Sequence, residues 1–240
     1  MCVVIVRSHL GCALPSFRTQ NLYTSAEMGL DTRGGPVRLN SVSFNISQVP
    51  AFQLTNFRIG IAFVPNTTTV ITEFLPMTIV YGPVNVSRSL MAVNQYVFSV
   101  GCAIAVYRTL PEIGALFDYR LITFPIGTVT QDLLASQIVW DPANNLVLEL
   151  SYNNPSFDSS GRGGLWRFGN NIRRSLRAYS DFFGSYPYTT CAGVSINMYC
   201  ANATYVPVVI FGTSLYGKST AAVWMRLAGR STSLFFASVY

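Results

Sequence analysis

SQIVWDPANNLVLELSYNN, residues 136–154, opens with an apolar approach, breaks at a polar cluster and resumes as a strict alternation. From Leu146 onward, Leu146, Leu148, Leu150 and Tyr152 share one face. Val147, Glu149, Ser151 and Asn153 share the other, the period of two that marks a strand with one face in a core and one in water. Glu149 is therefore expected on the solvent face. Asp141-Pro142 suits the first two positions of a type I turn, where the carboxylate accepts backbone N–H groups and proline presets φ. Asp141 and Asn145 thus read as a turn pair, and Trp140 as a core anchor.

Similar short runs rich in Val, Ile, Phe and Tyr recur at 3–6, 37–46, 57–64, 78–81, 96–106, 119–124, 137–140, 194–199 and 205–211, separated by Pro, Gly, Asn and Ser. Helical periodicity is confined to short segments at 25–29, 110–117 and 172–182. The expected fold is all-β, an antiparallel, jelly-roll-like β-sandwich with a few short helices. Residues 1–17 read as an N-terminal arm, 18–211 as the sandwich domain and 212–240 as a C-terminal extension. GRGG at 161–164 reads as a flexible loop.

Charged residues make up 11% of the 240, against about 25% in typical soluble domains. No apolar run approaches the roughly 18 residues of a membrane span, because 97–107 is broken by Gly101 and ended by Arg108. The apolar excess points to a large core and to contacts with other protein subunits. The net charge of +6 rests on fifteen arginines and one lysine, Lys218. Arginine suits interfaces because its planar guanidinium bonds in pairs and is weakly hydrated. The basic cluster Arg162, Arg167, Arg173, Arg174 and Arg177 has Trp166, Phe168 and Tyr179 interleaved. It reads as an interface or solvated loop, and nucleic acid is not the expected partner.

Five cysteines without a C-x-x-C pair argue against zinc. Cys191 and Cys200 are spaced to close a short disulfide loop in an oxidising compartment. Sequons at Asn45, Asn66, Asn85 and Asn202 are candidate glycosylation positions. The opening MCVVIVRSHLGCA has too few apolar residues before Arg7 for a signal h-region, so no leader is expected. Gly212, Gly217, Lys218 and Ser219 satisfy G-x-x-x-x-G-K-[ST] after a strand-like run, with 220–229 as the helix a phosphate loop needs. Only 21 residues follow Ser219, too few for the remaining strands of a nucleotide-binding sheet, so a glycine turn is the favoured reading. His9 is the sole histidine and no G-x-S-x-G elbow exists, so no hydrolase triad is expected. Asp141 with Glu149 is the carboxylate pair to check for glycosidase geometry. Trp166, Tyr179, Tyr186 and Tyr188 are the aromatic residues to check for a sugar platform.

The blocks RTQNLYTSAEMGL (18–30), RLNSVSFNISQVPAFQLTNFRIGIAF (38–63), TIVYGP (78–83) and IVWDPANNLVLELSYNN (138–154) together resemble a β-sandwich module of secreted surface proteins of Bacteroidota. The resemblance covers residues 18–154, with fainter agreement to 211, and lies in the order of the blocks. Pro142 stands where that family has glycine, and 101–132 is an added stretch. It implies an extracellular adhesion module without catalytic residues. Architecture and low charge point instead to a non-enzymatic structural subunit of a large assembly, with a penton or minor capsid protein of a virion first. An extracellular or cell-surface glycan-binding module comes second, and a nucleotide-binding protein through Gly212–Ser219 third. No cofactor is expected.

Overall fold

The computed structural model describes residues 5–10, 16–28, 35–48, 53–87, 96–100, 103–107, 120–125, 138–154, 163–169, 173–180, 198–203, 205–207, 209–215, 222–226 and 233–237. These residues are all strands, turns and connections, with every ladder antiparallel. The six-stranded sheet contains β2 (Ser16–Tyr23), β4 (Leu54–Pro65), β5 (Thr78–Val86), β10 (Asn144–Asn153), β12 (Ser175–Ser180) and β13 (Met198–Ala203) in the order β13-β12-β2-β10-β4-β5. The seven-stranded sheet runs from β1 (Ile5–Leu10) through β11 (Gly163–Gly169) and β3 (Val37–Gln48) to β15 (Val209–Leu215). In it β8 (Arg120–Pro125) and β9 (Ile138–Trp140) also pair with β3, and β14 (Tyr205–Pro207) pairs with β11. Two hairpins, β6 (Tyr96–Val100) with β7 (Ala103–Tyr107) and β16 (Ala222–Arg226) with β17 (Ser233–Ala237), complete the described strands.

The all-β expectation holds, and the two expected helices that fall on described residues are not helical there. Among the described residues 25–28 form one turn, closed by Met28 N–H on Thr24 O at 3.2 Å. Within 172–182, Ser175–Ser180 is strand β12, hydrogen-bonded on both sides by β2 and β13. Weak helical periodicity yields there to two neighbouring ladders, which pair the backbone along Ser175–Ser180. The segment 110–117 lies outside the described residues. The expected boundaries at 17/18 and 211/212 fall inside β2 and β15, and β1 is paired with β11, so hydrogen bonding carries the sheets across both. Gly163 and Gly164, read as loop, open β11 opposite Leu10 and His9.

One core cluster draws on both large sheets. Tyr23, Leu146, Leu148, Leu150, Tyr152 and Ile59 come from the six-stranded sheet; Val37, Leu39, Val42, Phe44, Trp140 and Phe211 come from the seven-stranded one. Phe211 meets both Tyr23 and Trp140 edge-on, each with ring centroids 5.6 Å apart. Trp140 is the expected anchor: fully buried, it also donates its indole N–H to Asn144 O at 2.8 Å, across the turn it precedes. That turn is as read, with Asn144 N–H on Asp141 O at 2.9 Å and Ala143 N–H on the Asp141 carboxylate at 2.8 Å. The β4–β5 edge is less regular: its register shifts three times, and Gly82 has φ 84°, where a Cβ would collide with Phe57 O.

Tyr23 supplies the first prediction. Its hydroxyl donates to Pro207 O at 3.0 Å, and burial, helped by the Glu27 carboxylate, pushes its pKa well above the usual tyrosine value. The stability that neutral Tyr23 contributes is fully present below about pH 10, the unfolded value, and is lost as pH rises from there through the folded pKa. Tyr23→Phe should cost about 1 kcal/mol at neutral pH, where it removes only the hydrogen bond. It should also flatten the alkaline fall of stability. Urea unfolding of both proteins at neutral pH and above pH 10 checks this, and an equally steep alkaline fall in the variant would refute it.

Candidate functional site

A buried polar network gathers around β10, and the register explains how. β10 lies between β2 and β4, so Glu149 stands opposite Gln20 on one side and Gly60 on the other, with Arg18 opposite the next outward-facing position, Ser151. This face was expected in water. It is instead buried: Val147, Glu149 and Ser151 are at most 2% exposed. The cover is the connection from β4 to β5, residues 66–77, which crosses the sheet as a strap. Its Ile71 and Phe74 form a second apolar cluster with Leu22, Val147, Leu176 and Ala178.

Under the strap Glu149 Oε2 accepts from Arg18 Nε at 2.7 Å and from Gln20 Nε2 at 2.8 Å. Gln20 also donates to Leu75 O and accepts from Leu75 N–H, both at 2.8 Å, so its carboxamide pairs with the strap as a neighbouring strand would. The Arg18 guanidinium lies 4.5 Å from the Phe74 ring centroid and reaches Leu75 O. A carboxylate can be buried here because a cation and a second donor replace its hydration.

Asn145 fastens the other end of the strap. Its Nδ2 donates to Asn66 O at 3.1 Å and Thr68 O at 2.8 Å, while its Oδ1 accepts Ser25 N–H at 2.9 Å. The turn it holds is a reciprocal cap: Glu27 N–H donates to Thr24 Oγ1, and Glu27 Oε2 accepts from the Thr24 N–H and hydroxyl. Glu27 Oε1 also pairs with Arg174 of the 173–180 segment. At the far end of β10, Asn153 accepts from the Ser16 hydroxyl at 2.9 Å and Asn154 accepts Thr55 N–H at 2.8 Å. On the inner face Thr19, Asn21 and Ser175 form a small buried polar group, with Ser175 Oγ 2.8 Å from Asn21 Oδ1.

Glycine at position 60 is part of the same design. A Cβ there would lie 2.9 Å from Met77 Cβ, closer than side chains approach, and in ordinary contact with Glu149 Cβ at 3.5 Å. Gly60→Ala should therefore lift the end of the strap and cost about 1–3 kcal/mol, as overpacking does. A denaturation midpoint unchanged from the parent would show that Met77 yields freely.

The other sequence-derived candidates fall in separate places. Asp141 is exposed in its turn and Glu149 is buried within the ladder, so they do not form a shared carboxylate site. The basic cluster is divided: Arg174 is buried and paired with Glu27, Arg173 is exposed, and Arg167 and Trp166 belong to β11 in the other large sheet. Tyr179 lies in β12 of the six-stranded sheet and Trp166 in β11 of the seven-stranded one, and Tyr186 and Tyr188 lie outside the described residues. Gly212 sits inside β15 opposite Ser41, and the segment expected as a helix after Ser219 contains strand β16. A phosphate loop needs a strand ending at that glycine and a helix after the serine. Gly217, Lys218 and Ser219 themselves lie outside the described residues, as does Cys191; Cys200 is in β13.

Of the sequons, Asn66 is exposed in a turn and Asn85 is exposed in β5, its Oδ1 accepting Asn56 N–H at 3.1 Å. Asn45 and Asn202 have their backbones in β3 and β13. Among the described residues no three His, Cys, Asp or Glu side chains gather as a metal site, and no helix is long and apolar enough to cross a membrane. The strap and the Arg18–Gln20–Glu149 network escaped sequence reasoning. A lone glutamate in an otherwise apolar strand is the signal that could have found the network, and Thr24-x-x-Glu27 the signal for the capped turn beside it. No family model matches the chain, and neither a curated protein nor a solved structure matches it.

Proposed function

We propose that this chain is a non-enzymatic structural subunit of a large multi-subunit shell, of the penton or minor capsid kind, placed in a virion. In this reading the two large sheets form a jelly-roll-like β-sandwich, facing one another across Tyr23, Trp140 and Phe211. The observation that carries it is the use made of the polar side chains around β10. Arg18, Gln20, Asn145 and Glu149 are engaged with one another and with backbone groups, so they brace a wall. The exposed surface is consistent with contact between subunits. Residues 65–87, which include the terminal strand β5, hold one charged residue, Glu73, although Asn66, Val70, Pro76, Thr78 and Pro83 among them are exposed. Natural sheet edges that stay solvated are guarded by charge, proline or bulges; β5 has Pro83 and an irregular register but no charge.

Electron microscopy and native mass measurement of the purified full chain test the reading. Closed rings or lattices are expected; a monodisperse monomer would overturn it. A second reading, an exported cell-surface adhesion or glycan-binding module, draws on the way the resembling blocks interlock. Arg18 and Gln20 of the first block bind Glu149 of the last, and Ser25 binds Asn145. Silence across a broad glycan array would count against it.

A further inference from the structure

The four sequons are equivalent as sequence, and the fold separates them. Asn45, Asn85 and Asn202 lie in strands β3, β5 and β13, where the acceptor peptide is part of a ladder. Asn66-Thr67-Thr68 forms an exposed turn, closed by Thr68 N–H on Pro65 O at 2.9 Å. N-glycan acceptors belong on surface loops. We propose that Asn66 is the N-glycan acceptor of this chain, an inference that rests on the exported reading above.

The turn is suited to carry a bulky sugar because its backbone, rather than the Asn66 side chain, holds it in place. Asn66 N–H donates to Ala143 O at 3.0 Å, and Asn66 O and Thr68 O accept from Asn145 Nδ2. The Asn85 carboxamide is turned toward the Asn56 N–H, within the irregular β4–β5 edge. In the transfer, the bond from sugar C1 to the diphosphate oxygen of a polyprenyl-diphosphate oligosaccharide breaks. A bond from C1 to Asn66 Nδ2 forms, the amide gives up one proton, and polyprenyl diphosphate leaves; nothing is oxidised or reduced. The glycan then stands on the outer end of the strap, clear of the Glu149 network.

The test is to express the full chain behind a cleavable signal sequence in a eukaryotic secretory cell, alongside Asn66→Gln and Asn85→Gln. Glycopeptides are mapped in both the secreted and the cell-retained pools, since transfer precedes export. One glycan is expected on the parent and on Asn85→Gln and none on Asn66→Gln, which should fold because the side chain it alters holds no part of the turn. A bare Asn66 peptide, or a glycan lost in Asn85→Gln and kept in Asn66→Gln, would overturn the assignment. Occupancy at Asn66 together with sugar-array silence and a native chain found only in particles would sink the exported reading, and with it the glycan on the native chain, while upholding the choice of Asn66 over the other sequons.

Discussion

Glu149→Ala should destabilise the protein by about 3–5 kcal/mol, the range found when one partner of a buried ion pair is removed. Arg18 is 8% exposed and would be left with its charge in a site closed by Phe74 and Leu75, having lost the carboxylate 2.7 Å from its Nε. Gln20 would lose one acceptor but keep Leu75 O. The attribution is tested by the pair Arg18→Met with Glu149→Leu, which removes both charges and fills the space with apolar atoms. Such replacements are often neutral or stabilising, so the double variant should recover most of the loss despite carrying two substitutions. Chemical denaturation of parent, single and double variants measures all three. A Glu149→Ala midpoint shifted by less than about 1 kcal/mol would mean that the strap opens to water and the carboxylate is not truly buried.

The second large effect is expected at Trp140→Ala, at about 3–5 kcal/mol for loss of a buried aromatic side chain. The indole belongs to the core cluster that draws on both large sheets, lies edge-on to Phe211, and its N–H closes the turn into β10 through Asn144 O. The variant loses packing and a turn constraint together. Trp140→Phe separates them: it keeps most of the ring and drops the N–H donor, so it should cost clearly less than alanine. Equal losses for the two would assign the whole effect to the hydrogen bond and refute the packing argument.

Strand composition and spacing made the all-β class and many of its strands visible in one dimension. The runs at 37–46, 57–64, 119–124, 137–140 and 205–211 all lie in or around observed strands, because β-branched and aromatic residues bounded by turn formers fit a pleated, partly buried surface. The Asp141-Pro142 turn and the Trp140 anchor were equally legible, since each depends on side-chain chemistry acting over a few residues. β2 was less so. Its central residues Arg18, Thr19, Gln20 and Asn21 are polar on both faces, and a strand of that composition does not declare itself by hydrophobic period.

What the chain determined by itself was therefore local: strand-forming segments, the turns between them, and the inward set Leu146, Leu148, Leu150 and Tyr152. The fate of the opposite face was set by long-range packing. Alternation says that Glu149 points away from Leu148; it cannot say whether water or protein waits there. The strap arrives from some eighty residues earlier in the chain, and Gln20, which clamps it through Leu75, lies 55 positions from its partner. Burial of a charge depends on whether distant groups converge to replace its hydration, and no periodicity within one strand records that convergence.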